Sequence, residues 1–210
     1  MVKSKKFLSI YFFAAIILVF LTALFGPQEK SLGSNVRLIY LHGAWVLTAE
    51  IAFMASALAG LVGLLAQWIG TNKGWKSGSL RWSEALGRTG IIFWVTYLPL
   101  SLWAMESNWN GLFLSEPRFI LALNFSIIGV LMQLGLTLIS NRALTAISNI
   151  VFFVVLRIVF SSAANIMHPP PSPIFTSGNL AIIGFFVGLN LLTWLAAYFL
   201  ASWFMVFSRE

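Results

Sequence analysis

The sequence predicts an all-α, polytopic membrane protein with six transmembrane helices and both termini in the cytoplasm. Three observations predict it. Hydrophobic residues make up 59% of the 210 positions while charged residues make up 9%, too little polar surface to clothe a soluble domain of this length. The apolar residues fall into long runs, each able to cross a hydrocarbon core of about 30 Å at about 1.5 Å per residue. Finally, the net charge of +7 collects in the segments between those runs, where it reads as membrane orientation and not as a nucleic-acid surface.

The first helix is predicted over 7–25, behind Lys3, Lys5 and Lys6. A secretory signal would have a shorter apolar core of about 7–15 residues and a small-residue cleavage site, and Leu24-Phe25-Gly26-Pro27 offers none. The span is therefore read as an anchor. Pro27, Gly33 and Asn35 mark a connection before a second helix at 38–69, longer than the membrane requires and so tilted or projecting. The polar stretch from Gly70 to Gly87, with Lys73, Lys76, Arg81, Trp75 and Trp82, reads as a cytoplasmic loop with a short interfacial piece.

The third helix is expected over 88–105 with a kink at Pro99, which lacks a backbone donor and crowds the preceding turn. The fourth is placed at 116–139, with Ser115 able to cap it and Pro117 suited to its first turn. Asn141 and Arg142 turn the chain into a fifth helix at 143–163. A proline-rich loop containing His168 then leads to a sixth at 179–207. The six helices form one domain.

With the N-terminus cytoplasmic, nine of the 13 Lys and Arg residues fall inside and three outside, Lys30, Arg37 and Arg118. Arg157 is left within a span, as is Glu50. Charges at such depth pair or line a polar cavity, so an ion pair joining the second and fifth helices is expected, with a proton or substrate path as the functional reading. The same topology brings His42, Trp109, Glu116, Arg118 and His168 to the outer face.

Cysteine is absent, which excludes disulfides, thiolate metal sites and a C-x-x-C-H site for covalent heme. No Ser–His–Asp pattern, phosphate-cradling glycine loop or H-E-x-x-H is present, and the six acidic residues are scattered. The chain is read as a non-enzyme. Its two histidines, His42 and His168, stand on different helix ends at one depth, an arrangement that suits the two axial ligands of a heme. They are equally readable as polar interfacial residues satisfied by water or backbone. Arg37 and Arg118 can bind carboxylates bidentately or serve as interfacial anchors. Trp109 and Phe113 supply flat apolar faces of the kind a membrane interface also collects.

Arg37-Leu-Ile-Tyr-Leu-His42, followed by Ala44-Trp45, resembles the entry to the second helix in the heme-handling cytochrome c maturation family, the small six-helix branch of the tryptophan-rich "WWD" proteins. The segment Trp109-Asn-Gly-Leu-Phe-Leu-Ser-Glu116-Pro117-Arg118 is similar to that family's outer signature, and His168 stands where its second histidine falls. The resemblance covers the second to sixth helices in order and spacing. Leu112 and Ser115 occupy positions where the family has tryptophan, and Glu116 replaces the usual aspartate, which reduces the stacking surface.

The resemblance implies His42 and His168 as axial ligands of a transient, non-covalent heme b. Arg37 and Arg118 would be propionate partners, and Trp109 with Phe113 the remnant of an aromatic platform closed by Glu116. It implies a multi-pass protein of the inner or plasma membrane that delivers heme to a heme chaperone or to apocytochrome c among other maturation proteins. Two other readings use the same residues: a b-type cytochrome subunit with a permanent bis-histidine heme, and a scaffold of the same fold without heme.

Overall fold

The structure is a computed structural model, which describes residues 2–30, 32–70, 73–163 and 174–207. It contains six long helices and no strand among those residues: α1 (Val2–Leu24), α2 (Val36–Trp68), α3 (Lys73–Trp109), α4 (Pro117–Ile139), α5 (Arg142–Ser162) and α6 (Leu180–Phe207), with a 3-10 turn at Phe175–Ser177 before α6. All six are long and apolar enough to cross a membrane. The chain is a multi-pass membrane protein associated with a lipid bilayer. Its outward-facing Leu, Ile, Val and Phe side chains are what a hydrocarbon solvent demands.

Helix α2 is the centre, touching α1, α3, α5 and α6. It can be central because its inner faces are small. Ala44, Ala49, Ala52, Ala57, Gly60 and Gly63 are buried there and let neighbouring backbones approach. Its longest contact is with α3, which runs beside it over most of its length. Helix α1 leans on α6, and α4 packs on α3 and α5. Helices α2 and α4 do not approach each other among the described residues, which leaves a wedge between them.

The largest departure from the sequence reading is α3. It begins at Lys73, not at residue 88, and continues through Pro99 to Trp109. The polar stretch read as a loop is the first part of this helix, and several of its polar side chains have protein partners. Glu84 forms an i,i+4 ion pair with Arg88 at 2.7 Å and faces Arg142 of α5 at 3.7 Å. Arg81 donates to the Met205 carbonyl of α6, and Trp82 stacks on Tyr198 of the same helix instead of sitting free in the headgroup layer. Glu116, not Ser115, stands at the N-cap position of α4, without a side-chain capping bond, and Pro117 is at its first position as expected. Asn141 caps α5, its side-chain oxygen accepting from the Leu144 N–H at 3.1 Å.

Four helices are tied together near the face where α3 and α5 begin. The Ser56 hydroxyl of α2 donates to the Ser83 carbonyl of α3 at 2.7 Å. The Asn149 amide of α5 donates to that carbonyl at 3.0 Å, and the Gln133 amide of α4 donates to the Asn149 oxygen at 2.9 Å. Gly87 permits this approach, since a Cβ there would lie 2.8 Å from the Asn149 amide.

Candidate functional site

At the opposite face, where α2 and α4 begin, the wedge between them encloses a cavity of about 170 Å³. Its walls come from four elements. Helix α2 contributes His42, Val46 and Glu50, one to two turns apart on one side of the helix. Helix α3 contributes Trp94, Tyr97, Ser101 and Met105, again at helical spacing. Glu116, Arg118 and Phe119 close it from the start of α4, and Phe160 of α5 closes it from the side.

The walls are held rigidly. The Trp94 indole is fully buried and donates to the Ala122 carbonyl at 3.1 Å, which fixes α3 against α4. Tyr97 packs edge-on against Trp94 at 5.0 Å between ring centroids and lies 5.5 Å from the His42 ring. The imidazole therefore rests against a phenol ring at the cavity wall. Trp45, one turn further along α2, donates to the Thr96 hydroxyl at 3.0 Å and locks α2 to α3 beside the site.

Glu50 is the link between the cavity and the outside of the bundle. Its carboxylate accepts from Arg157 Nη1 of α5 at 2.8 Å, joining α2 to α5 as the sequence led us to expect. The Arg157 side chain is 51% exposed on the lipid-facing side, whereas that of Glu50 is 23% exposed. Arg118 also attracts Glu50 electrostatically. The Arg118 Nε is buried without a hydrogen-bond partner among the described residues. An unmade bond to a buried donor costs about 1–3 kcal/mol, a cost that persists where a ligand supplies the missing acceptor.

Of the residues singled out from the sequence, His42, Glu116 and Arg118 are brought together here. Arg37 lies apart: its Nε donates to the Gly26 carbonyl at 3.0 Å and closes the connection between α1 and α2. Trp109 is the last residue of α3, and Phe113 is 42% exposed in the following loop; neither lines the cavity. His168 lies outside the described residues. Tyr97, Ser101 and Met105 line the site without having been singled out, although their spacing of four residues down one face of α3 is visible in the sequence.

The donor set fits part of a heme. A neutral imidazole is an iron ligand and a guanidinium suits a propionate. The volume does not fit an enclosed macrocycle, because pockets for organic ligands occupy about 300–1,000 Å³. A larger cleft of about 810 Å³ lies between the α1–α2 connection and the start of α6, lined by Glu29, Lys30, Leu32 and Asn179 among others. It presents no histidine or methionine among the described residues. No group of three or more metal-ligating side chains occurs among the described residues either. No protein-family model matches this chain, and no curated protein or solved structure does so.

Proposed function

We propose that the protein binds heme transiently and non-covalently at the face where α2 and α4 begin, and delivers it during c-type cytochrome assembly. The observation that carries this reading is the convergence of His42, Glu116 and Arg118, from two separate sequence motifs, on one cavity. His42 would supply an axial nitrogen and Arg118 a donor pair for one propionate, with His168 the second ligand on the sequence reading. Bound heme supplies the redox-active iron that a cytochrome needs, and the chain itself performs no catalysis on it.

The asymmetry of Lys and Arg supports an outer position for this face with both termini cytoplasmic, and the family resemblance supports an inner or plasma membrane. The partners on that side are other maturation proteins, a heme chaperone or apocytochrome c. The small cavity favours this carrier over a b-type electron-transfer subunit, which would enclose its macrocycle between helices. Outside the cavity, Phe113 is exposed at the same face, and Trp109 is half-buried at the end of α3.

The test is an absorption spectrum of the protein purified after heme-replete expression, repeated with His42→Ala and His168→Ala. We expect a Soret band that transfers to an added heme acceptor and is lost or strongly reduced in each variant. Absence of the band from the unmodified protein would sink both heme readings and leave the scaffold. Unaltered bands in both variants would spare heme binding and remove the ligand assignment.

A further inference from the structure

Glu50 stands between two guanidinium groups that reach it from different directions. Arg157 bonds it from outside the cavity and Arg118 attracts it from within. The titratable and charged groups facing this point are His42, Tyr97, Glu116, Arg118 and Arg157. Arg157, at 2.8 Å, offsets the Glu50 carboxylate. Without it that carboxylate would face the cavity as a repulsive charge, which the surroundings screen poorly at this depth. The cavity can hold an acid group with a short stem but does not enclose a whole macrocycle.

We propose that Arg157 is a positioning residue, which neutralises Glu50 so that the ligand carboxylate given to Arg118 in the proposed function can enter beside it. The buried Arg118 Nε, without a partner among the described residues, is the donor this carboxylate would satisfy. The inference deepens the proposed function by giving its ligand an acid group as the point of entry, yet it needs no iron. Porphyrin propionates and free short-chain carboxylates share this chemistry.

The experiment measures binding of metal-free protoporphyrin IX to the purified full chain in lipid nanodiscs by porphyrin fluorescence, beside its dimethyl ester and with butyrate as competitor. We expect the diacid to bind about tenfold or more tightly than the ester, and Arg118→Gln to remove that preference. Arg157→Gln should weaken the diacid about tenfold, while the double variant Glu50→Gln with Arg157→Gln returns it to within about threefold of the unmodified protein. Competition by butyrate would assign the site to free carboxylates, and its absence to propionates carried on a porphyrin.

Equal binding of acid and ester overturns the proposal, as does a double variant as weak as Arg157→Gln alone. Should Arg157→Gln not fold, Glu50→Gln alone decides: it must bind the diacid at least as tightly as the unmodified protein, and weaker binding overturns the role given to Arg157. Because the probe lacks iron, loss of the heme Soret band with retained diacid binding would separate failure of the heme reading from failure of this one.

Discussion

Two polar layers cross this bundle, and both draw on α2, α3, α4 and α5. In the layer of Ser56, Ser83, Gln133 and Asn149 each amide and hydroxyl is spent on a neighbour, and Gly60 and Gly87 bring the backbones close enough to leave no gap. In the layer of His42, Glu50, Tyr97, Glu116 and Arg118 the helices splay, a cavity remains, and a buried arginine nitrogen lacks a partner among the described residues. The same kind of residue thus serves two ends. A saturated polar layer fixes which helices meet, whereas an open one keeps capacity for something that is not part of the chain.

The comparison is broken most forcefully at Asn149. Replacing it with leucine leaves the Gln133 amide without its acceptor and takes one of two donors from the Ser83 carbonyl, and Gly87→Ala drives a Cβ into the Asn149 amide. We expect each to cost about 2–3 kcal/mol, from overpacking and from unmade bonds that hydrocarbon cannot replace. Reversible unfolding in mixed micelles measures it. A loss below about 0.5 kcal/mol at both positions would mean that the closed layer is no more structural than the open one.

The Glu50–Arg157 pair comes next, because it floors the open layer but joins α2 to α5 like a member of the closed one. Glu50→Ala or Arg157→Ala leaves the other without its bonded partner, and Arg118 still attracts Glu50 while the half exposure of Arg157 lets it snorkel toward water, so the expected loss is about 1–2 kcal/mol each. The double replacement removes both charges and should lose less than the sum of the two. Additive losses in a double-mutant cycle would remove the pair from the list of structural ties.

These two ties were unequally legible in the sequence. Glu50 and Arg157 stand out because charges are rare inside apolar spans, and their depths match once the topology is drawn. The closed layer is hidden because Ser56 and Ser83 look like ordinary small residues; the visible hints are Gln133 and Asn149, two amides inside apolar runs. The first half of α3 was hidden for a related reason. A search for apolar runs discards Lys73 to Gly87, yet Glu84 faces Arg142 of α5 and Arg81 donates to a carbonyl of α6, partners that only the fold supplies.

For the open layer, His42, Glu116 and Arg118 were legible because they lie in two motifs at two helix starts. Arg37 was placed with them by proximity in sequence, but five residues along a helix from His42 turn it to another side, where the Gly26 carbonyl takes it. The α3 wall was not legible. Trp94, Tyr97 and Ser101 look like any helix face until α4 is seen to stand away from α2.

The smallest expected effect is the sharpest test of the distinction. Ser101 is buried and lines the open layer, and Ser56 is buried in the closed one. Leucine at 56 has nowhere to go: it displaces the hydroxyl that holds Ser83 and should cost about 1–3 kcal/mol. Leucine at 101 can extend into the cavity, gaining dispersion contacts that offset the lost hydroxyl, so stability should stay within about 0.5 kcal/mol. The same substitution fills the space proposed for a ligand carboxylate and should reduce diacid binding while the protein remains folded. A function that lives in unfilled space predicts this separation of stability from binding. Equal destabilisation at 56 and 101 would instead show that the two layers are packed alike, and that the cavity is no more than a gap left by the splay of α2 and α4.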